Sequence, residues 1–299
     1  MRRLELSLAL LLAAAYPAAA QVNYDTVQIR TIKVGDGVYM LMGVGGNIGV
    51  AAGADGVLMV DDQYAPLSDK IKAAVAAVGG GPIRFLVNTH WHWDHVGGNE
   101  SLLRSGAVTV AHENVRRRMS VAQFVPPLNR HEPAAPAGAL PLVTFTDSVN
   151  FYLGGDSIHV FHVAAAHTDG DAMIWFRRAN VVHMGDIFFN GRYPFVDLSS
   201  GGSVDGMVAA VDRVLGLADG NTKIIPGHGP LADRTTLRAY RDMLVTVRDR
   251  IRRAVAAGQT LEQVQAAKPT AEFDAVWGQG RITPTLFVEI LYTDLAARK

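Results

Sequence analysis

Short apolar runs broken by glycine and proline dominate this chain, and most are too short to be helices. Residues 38–42, 48–52 and 57–60 are four- or five-residue apolar segments with turn residues between them, so they predict three strands, and Asp55-Gly56 is a hairpin signal. A helical pattern at 66–78 precedes another strand at 83–87. After a Pro- and Ala-rich stretch at 126–141, which fits a loop over a cleft, strands are predicted at 142–145, 149–153, 158–163, 172–176 and 181–184, with Gly154-Gly155-Asp156 as a turn. Ser203 caps a helix whose apolar face is Val204, Met207, Val208, Val211 and Leu215, ended by Gly220. Leu237, Tyr240, Leu244, Val247, Ile251 and Val255 recur at steps of three and four, so 231–256 is a long amphipathic helix. Strands, helix and strands again, twice over, predict two sheets face to face with helices outside.

Composition narrows this picture. The 299 residues are 49% hydrophobic and 19% charged, a globular balance at a length that buries about three quarters of the unfolded surface. Lysine plus arginine equals aspartate plus glutamate at 28 each, so no net field draws nucleic acid, and Arg238, Arg241, Arg248, Arg250, Arg252 and Arg253 read as a solvated helix face. At the N-terminus Arg2 and Arg3, an apolar stretch at 6–15 too short to span a bilayer, and Ala18-Ala19-Ala20 before Gln21 form a signal peptide, 1–20; an uncleaved anchor is the alternative. The expectation is a periplasmic or secreted single domain, 21–299, with a small-molecule substrate, no membrane association after cleavage, and no feature that sets an oligomeric state.

The densest chemistry follows the strand at 83–87. His90-Trp91-His92-Trp93-Asp94-His95 packs four potential metal ligands into six positions. Side chains two apart on an extended chain share a face, so His90 and His92 can grip one ion, while a turn at Gly97, Gly98 and Asn99 would aim Asp94 and His95 at a second. His167, Asp186 and His228 each follow an apolar run, where a scaffold presents residues to a cleft. The chain has no cysteine, so imidazole and carboxylate are the available strong ligands; they suit Zn²⁺, and also Fe²⁺ or Mn²⁺. Such ions lower the pKa of bound water from about 16 toward about 7, which supplies a nucleophile without serine or cysteine, and Asp94 is well placed to orient it.

With those residues in view the chain resembles the metallo-β-lactamase fold superfamily of metal-dependent hydrolases. His-x-His-x-Asp-His at 90–95, His-Thr-Asp-Gly at 167–170, Met-Gly-Asp at 184–186 and Pro-Gly-His-Gly at 226–229 fall in that family's order and spacing, and the likeness covers residues 28–260. It implies an α/β fold, a four-layer αββα sandwich of two mixed sheets face to face, with two Zn²⁺ ions at one edge. His90, His92 and His167 would take the first ion and Asp94, His95 and His228 the second, with Asp186 bridging. One large group of these enzymes has a cysteine where this chain has Asp186, the choice seen in glyoxalase-type hydrolases. The lysine those enzymes use three residues on to hold a substrate carboxylate is Phe189 here, and Arg192 is the candidate to supply that charge.

Tyr64, Trp91, Trp93, Phe124, Phe188, Phe189, Tyr193 and Phe195 are candidates to line the cleft, with Trp91, Phe189 and Arg192 the chosen substrate contacts. Asp61 or Asp62 could orient a ligand histidine. His112, His159, His162 and His183 read as core or edge residues, and His131 lies in the 126–141 stretch. The expected activity is opening of a strained β-lactam amide, with a lactonase or thioesterase of the same superfamily as the alternative. A non-catalytic metal-binding protein would need a closed or incomplete ligand set, whereas all seven expected ligands are present.

Overall fold

A computed structural model describes residues 22–298, so the signal peptide expected at 1–20 lies outside the described residues. The first sheet contains β1 (Arg30–Gly35), β2 (Val38–Met42), β3 (Ile48–Gly53), β4 (Gly56–Val60), β5 (Ile83–Val87) and β6 (Val108–His112). A separate hairpin, β7 (Gln123–Val125) and β8 (Arg130–Glu132), intervenes before β9 (Val143–Phe145) completes that sheet in the order β1-β2-β3-β4-β5-β6-β9. Pairing is antiparallel as far as β4 and parallel beyond it. The second sheet runs in chain order through β10 (Ser148–Leu153), β11 (Asp156–His162), β12 (Ala172–Phe176), β13 (Val181–His183), β14 (Lys223–Ile225) and β15 (Ala232–Asp233), with β13 and β14 parallel.

The helices are α1 (Ser68–Val78), α2 (Trp93–Val96), α3 (Asn99–Arg104), α4 (Glu113–Met119), α5 (Val204–Leu217), α6 (Arg234–Ala256), α7 (Leu261–Ala266), α8 (Asp274–Trp277) and α9 (Pro284–Ala297). Three apolar layers separate four structural layers, because successive side chains of a strand point to opposite faces. In β4, Val57 and Met59 pack toward α1, while Leu58 and Val60 meet the second sheet. In β12, Ile174 and Phe176 face the first sheet, while Met173 faces α5, α6 and α9. Strands buried on both faces read as unbroken apolar runs, which is why the central ones are recognisable from sequence. The fold is therefore the expected αββα sandwich.

Boundaries differ from expectation for local reasons. Helix α5 stops at Leu217, since Ala218 turns extended after its N–H closes the last turn on Val214, before Gly220 is reached. Helix α6 starts at Arg234, because Ala232 and Asp233 pair with β14 and the Asp233 carboxylate accepts the Thr236 N–H as a cap. Its Leu237, Leu244, Val247 and Ile251 are fully buried, and cutting Leu244 to alanine would cost about 2–5 kcal/mol. The 126–141 stretch is the far arm of the β7–β8 hairpin followed by short turns. Strand β1 carries no apolar signature because it is an edge strand and mostly exposed.

Candidate metal centre

The seven residues proposed as ligands lie together where both sheets end. His90 and His92 follow β5, and Asp94 and His95 lie in the one-turn helix α2. His167 sits in the β11–β12 connection, Asp186 in a 3₁₀ turn after β13, and His228 after β14. One ligand atom from each of His90, His92, His167 and Asp186 falls within 4.8 Å of the others, and Asp94, His95 and His228 form a second such group. Asp186 faces both groups: its Oδ2 lies 3.8 Å from His90 Nε2, 3.7 Å from His167 Nε2 and 3.4 Å from His228 Nε2, and its Oδ1 lies 3.1 Å from His95 Nε2.

Hydrogen bonds set which nitrogen of each imidazole stays free. His167 Nδ1–H donates to the Phe195 carbonyl at 2.7 Å, leaving the Nε2 lone pair free, and His92 Nε2–H donates to Asp197 at 2.9 Å, leaving Nδ1 free. These two free nitrogens face each other at 2.8 Å. Two lone pairs at that distance repel unless a cation lies against both. The Thr89 hydroxyl donates to Asp61 at 2.7 Å and so accepts from His90 Nδ1–H at 3.0 Å, leaving His90 Nε2 buried with no partner. His95 Nδ1–H donates to Asp61 at 2.8 Å, and its Nε2 points into the cluster. Asp186 Oδ1 is also buried without a hydrogen bond. Orphaned lone pairs and carboxylate oxygens converging in one place are a donor set that fits divalent cations.

The two groups differ in charge. Burial, helped by the neighbouring His92, pulls His167 down to about 4, and burial with nearby His95 lowers His90 too. Burial also opposes the charged form of His228, but the carboxylates of Asp186 and Asp94 outweigh it and hold the imidazole up at about 9. His95 is raised in the same way by Asp186, Asp61 and Asp94 against its burial. In return, despite burial, His95 and His228 hold Asp94 down at about 2, and the same two histidines keep Asp186 well below the usual carboxylate range.

Several supporting residues had no local signal in the sequence. Asp197 holds His92 from 105 positions away. Asn47, at the head of β3, donates to the carbonyls of Pro226 and Gly229 at 2.8 and 2.9 Å and ties the first sheet to the His228 loop. Asp171 accepts the backbone N–H groups of His167 and Thr168 at 2.6 and 2.9 Å and shapes that turn. A Cβ built on Gly46 would clash with the His95 ring, 2.1 Å from Cε1, so the chain passes there only as glycine. Asp61 is the carboxylate that orients His95, whereas Asp62 accepts the Gly98 N–H.

The cleft over the ligands is lined by Tyr64, Trp93, Leu128, Phe189, Arg192 and Phe195 among others. Phe189 is a fixed wall, stacked on His228 at 5.3 Å between ring centres and bridged to it through the backbone. Trp91 does not line this cleft: its ring is buried, its indole N–H donates to Ser200 at 3.0 Å, and it borders a neighbouring cavity. The contact expected of Trp91 falls to Trp93, whose ring carries the Arg130 guanidinium 3.7 Å above it. Phe124 and His131 stack on each other at the β7–β8 hairpin, outside the cleft lining. His183 is a buried core histidine with its Nε2–H on the Asn47 carbonyl.

The described residues thus form a four-layer sandwich with a histidine and aspartate cluster, a candidate metal centre, at the sheet ends. The chain belongs to the metallo-beta-lactamase superfamily, whose family model matches residues 41–231. A type 2 metallo-beta-lactamase of Bacteroides fragilis is 22% identical over 144 residues, 48% of this chain and 52% of that protein, so the chain spans about half the length of this curated relative. Among solved structures, a metallo-beta-lactamase from Pontibacter korlensis superposes with a TM-score of 0.60 at 18% identity, covering 73% of this chain and 99% of that one. The DIM-1 metallo-beta-lactamase superposes with a TM-score of 0.58 at 19% identity, covering 74% and 99%. At these identities the likeness is one of fold.

Proposed function

We propose that the protein is an exported dinuclear zinc hydrolase that opens a strained amide ring, with β-lactams as the leading substrates. The observation that carries this reading is the set of three imidazole lone pairs, on His90, His92 and His167, prepared by hydrogen bonds and facing Asp186 and a second group of ligands. His90, His92 and His167 would hold one ion and Asp94, His95 and His228 the other, with Asp186 facing both groups. When bound, such ions supply a water of lowered pKa and a Lewis acid for the scissile carbonyl. Asp94 orients the attacking water, and Trp93 and Phe189 shape the apolar walls around the substrate. Arg192, at the mouth, holds a substrate carboxylate.

A second reading, a lactonase or thioesterase, is favoured by Asp186, which stands where a dedicated lactamase of one large group carries a thiolate. Export rests on the 1–20 segment and predicts that the mature chain starts at Gln21; N-terminal sequencing of protein from a periplasmic fraction checks it. Residues 21–299 act as one domain, a reading supported by the shared apolar layer of α5, α6 and α9 against the second sheet. Among the described residues no helix is long and apolar enough to cross a membrane.

Elemental analysis of the purified mature protein, paired with hydrolysis of a chromogenic cephalosporin with and without chelator, tests the proposal. Two zinc ions per chain and chelator-sensitive turnover are expected. Two metals with thioester or lactone turnover in place of lactam turnover would transfer the assignment to the second reading, and a protein that binds no metal would overturn both.

A further inference from the structure

The cleft mouth carries two cations that the ligand chemistry does not use. Arg192 and Arg281 are both exposed and line the cleft together with Asp94, Asp186 and His228. Neither makes a hydrogen bond or ion pair among the described residues, whereas most other arginines near charged neighbours are paired. Arg118 grips Asp169 with two hydrogen bonds of 2.7 Å, and on α6 Arg241 pairs with Asp212, Arg250 with Glu272 and Arg252 with Asp205.

The two loops that carry them are built as one unit. Tyr193, next to Arg192, donates its N–H to the Trp277 carbonyl at 2.7 Å and its hydroxyl to Asp274 at 2.8 Å, and its ring stacks on Phe287 at 4.5 Å. Gly280, next to Arg281, lies against the Arg192 stem: a Cβ there would sit 3.0 Å from Arg192 Cβ. Tertiary structure therefore places two like charges at one mouth, neither of them paired with the Asp94 and Asp186 carboxylates that share the lining and face the histidines instead. A monoanion would leave one guanidinium unneutralised, while a dianion matches both and can accept from both planar forks. Arg281 also lies beyond residue 231, where the family match ends, so this second cation comes from the C-terminal segment.

Resting on the hydrolase reading of the cleft, we propose that Arg192 and Arg281 form a two-guanidinium subsite selecting substrates that carry a doubly charged oxyanion group, a pair of carboxylates or a phosphate, away from the reacting bond. The test is calorimetric titration of the metal-loaded protein at pH 8 with glutarate, inorganic phosphate and butyrate, repeated on R281A, R281K and R192A after metal content is confirmed. At least one dianion should bind about tenfold or more tightly than butyrate, and R281A and R192A should each lose about ten- to a hundredfold of that affinity, with R281K between. Glutarate and phosphate distinguish a carboxylate pair from a phosphate as the natural group. Equal binding of butyrate and both dianions, or dianion binding unchanged in fully metallated R281A, would overturn the subsite. Turnover assays run in parallel separate the two claims: Arg281-dependent dianion binding without hydrolysis of any lactam, lactone or thioester leaves the subsite standing and removes the hydrolase reading.

Discussion

His90, His92 and His167 present lone pairs already freed by hydrogen bonds to Thr89, Asp197 and the Phe195 carbonyl, whereas His95 and His228 face carboxylates that keep protons on them. In the first group burial disfavours the charged forms of His90 and His167. The second is an ion-pair cluster in which protons occupy the place a metal would take. Burial dominates the first and carboxylate charge the second, so one cleft holds two sites with opposite proton linkage.

The largest expected effect is ligand removal. His167→Ala should abolish binding at the first group and reduce turnover by more than the roughly 10–100-fold typical of losing an outer hydrogen-bond partner, while His228→Ala should retain one tightly held ion per chain; elemental analysis beside turnover reads both, and equal metal loss from the two variants would break the distinction. Next comes Gly46→Ala. His95 is pinned by Asp61 and cannot yield to the new Cβ, so this variant should lose the second ion and keep the first, as read by competition with a chromophoric chelator.

Smaller effects should follow the supporting carboxylates. Asp197→Asn should weaken metal binding through His92, at the first group alone, by about 10–100-fold, whereas Asp61→Asn should weaken both groups, through His95 directly and through Thr89 and His90. Loss of the second ion on Asp197→Asn would break the two-group description.

The smallest effect is graded with pH. Since His228 sits at about 9 in the metal-free cluster, loading the second group must displace its proton, so affinity there should rise about tenfold per pH unit per proton between pH 7 and 9. His167, at about 4, is already neutral in that range, so its share of binding at the first group should add no pH dependence between pH 7 and 9. Stability of the metal-free protein carries the same opposition. A lowered His167 contributes stability that is complete above its unfolded value near 6.5 and is lost as pH falls toward 4; a raised His228 contributes stability present below 6.5 and lost as pH rises through 9. Proton release measured in buffers of different ionisation enthalpy, and urea midpoints followed across pH, check the two signs.

Much of the fold was legible because its central strands are buried on both faces and read as compact apolar runs, as at Gly56–Val60 and Ala172–Phe176. Strand β1 and the hairpin β7–β8 escaped that reading, since edge and excursion strands bury too little to leave a pattern. The candidate metal ligands were visible as polar side chains at strand ends. The residues that aim them were not: Asp197 and Asn47 reach their partners across 105 and 179 positions, Gly46 matters only because His95 packs on it, and Trp91 alternates with ligands yet turns into the protein.

By itself the sequence determined which apolar segments become most of the strands and the long helices and which side chains could bind a cation, because burial periodicity and ligand chemistry are local properties of the chain. Tertiary structure alone decided which imidazole nitrogen is free, which histidines carry protons, and that Arg281 stands beside Arg192 over the cleft. Those outcomes depend on distances between residues far apart in sequence, and electrostatics and hydrogen bonding act through distance in space.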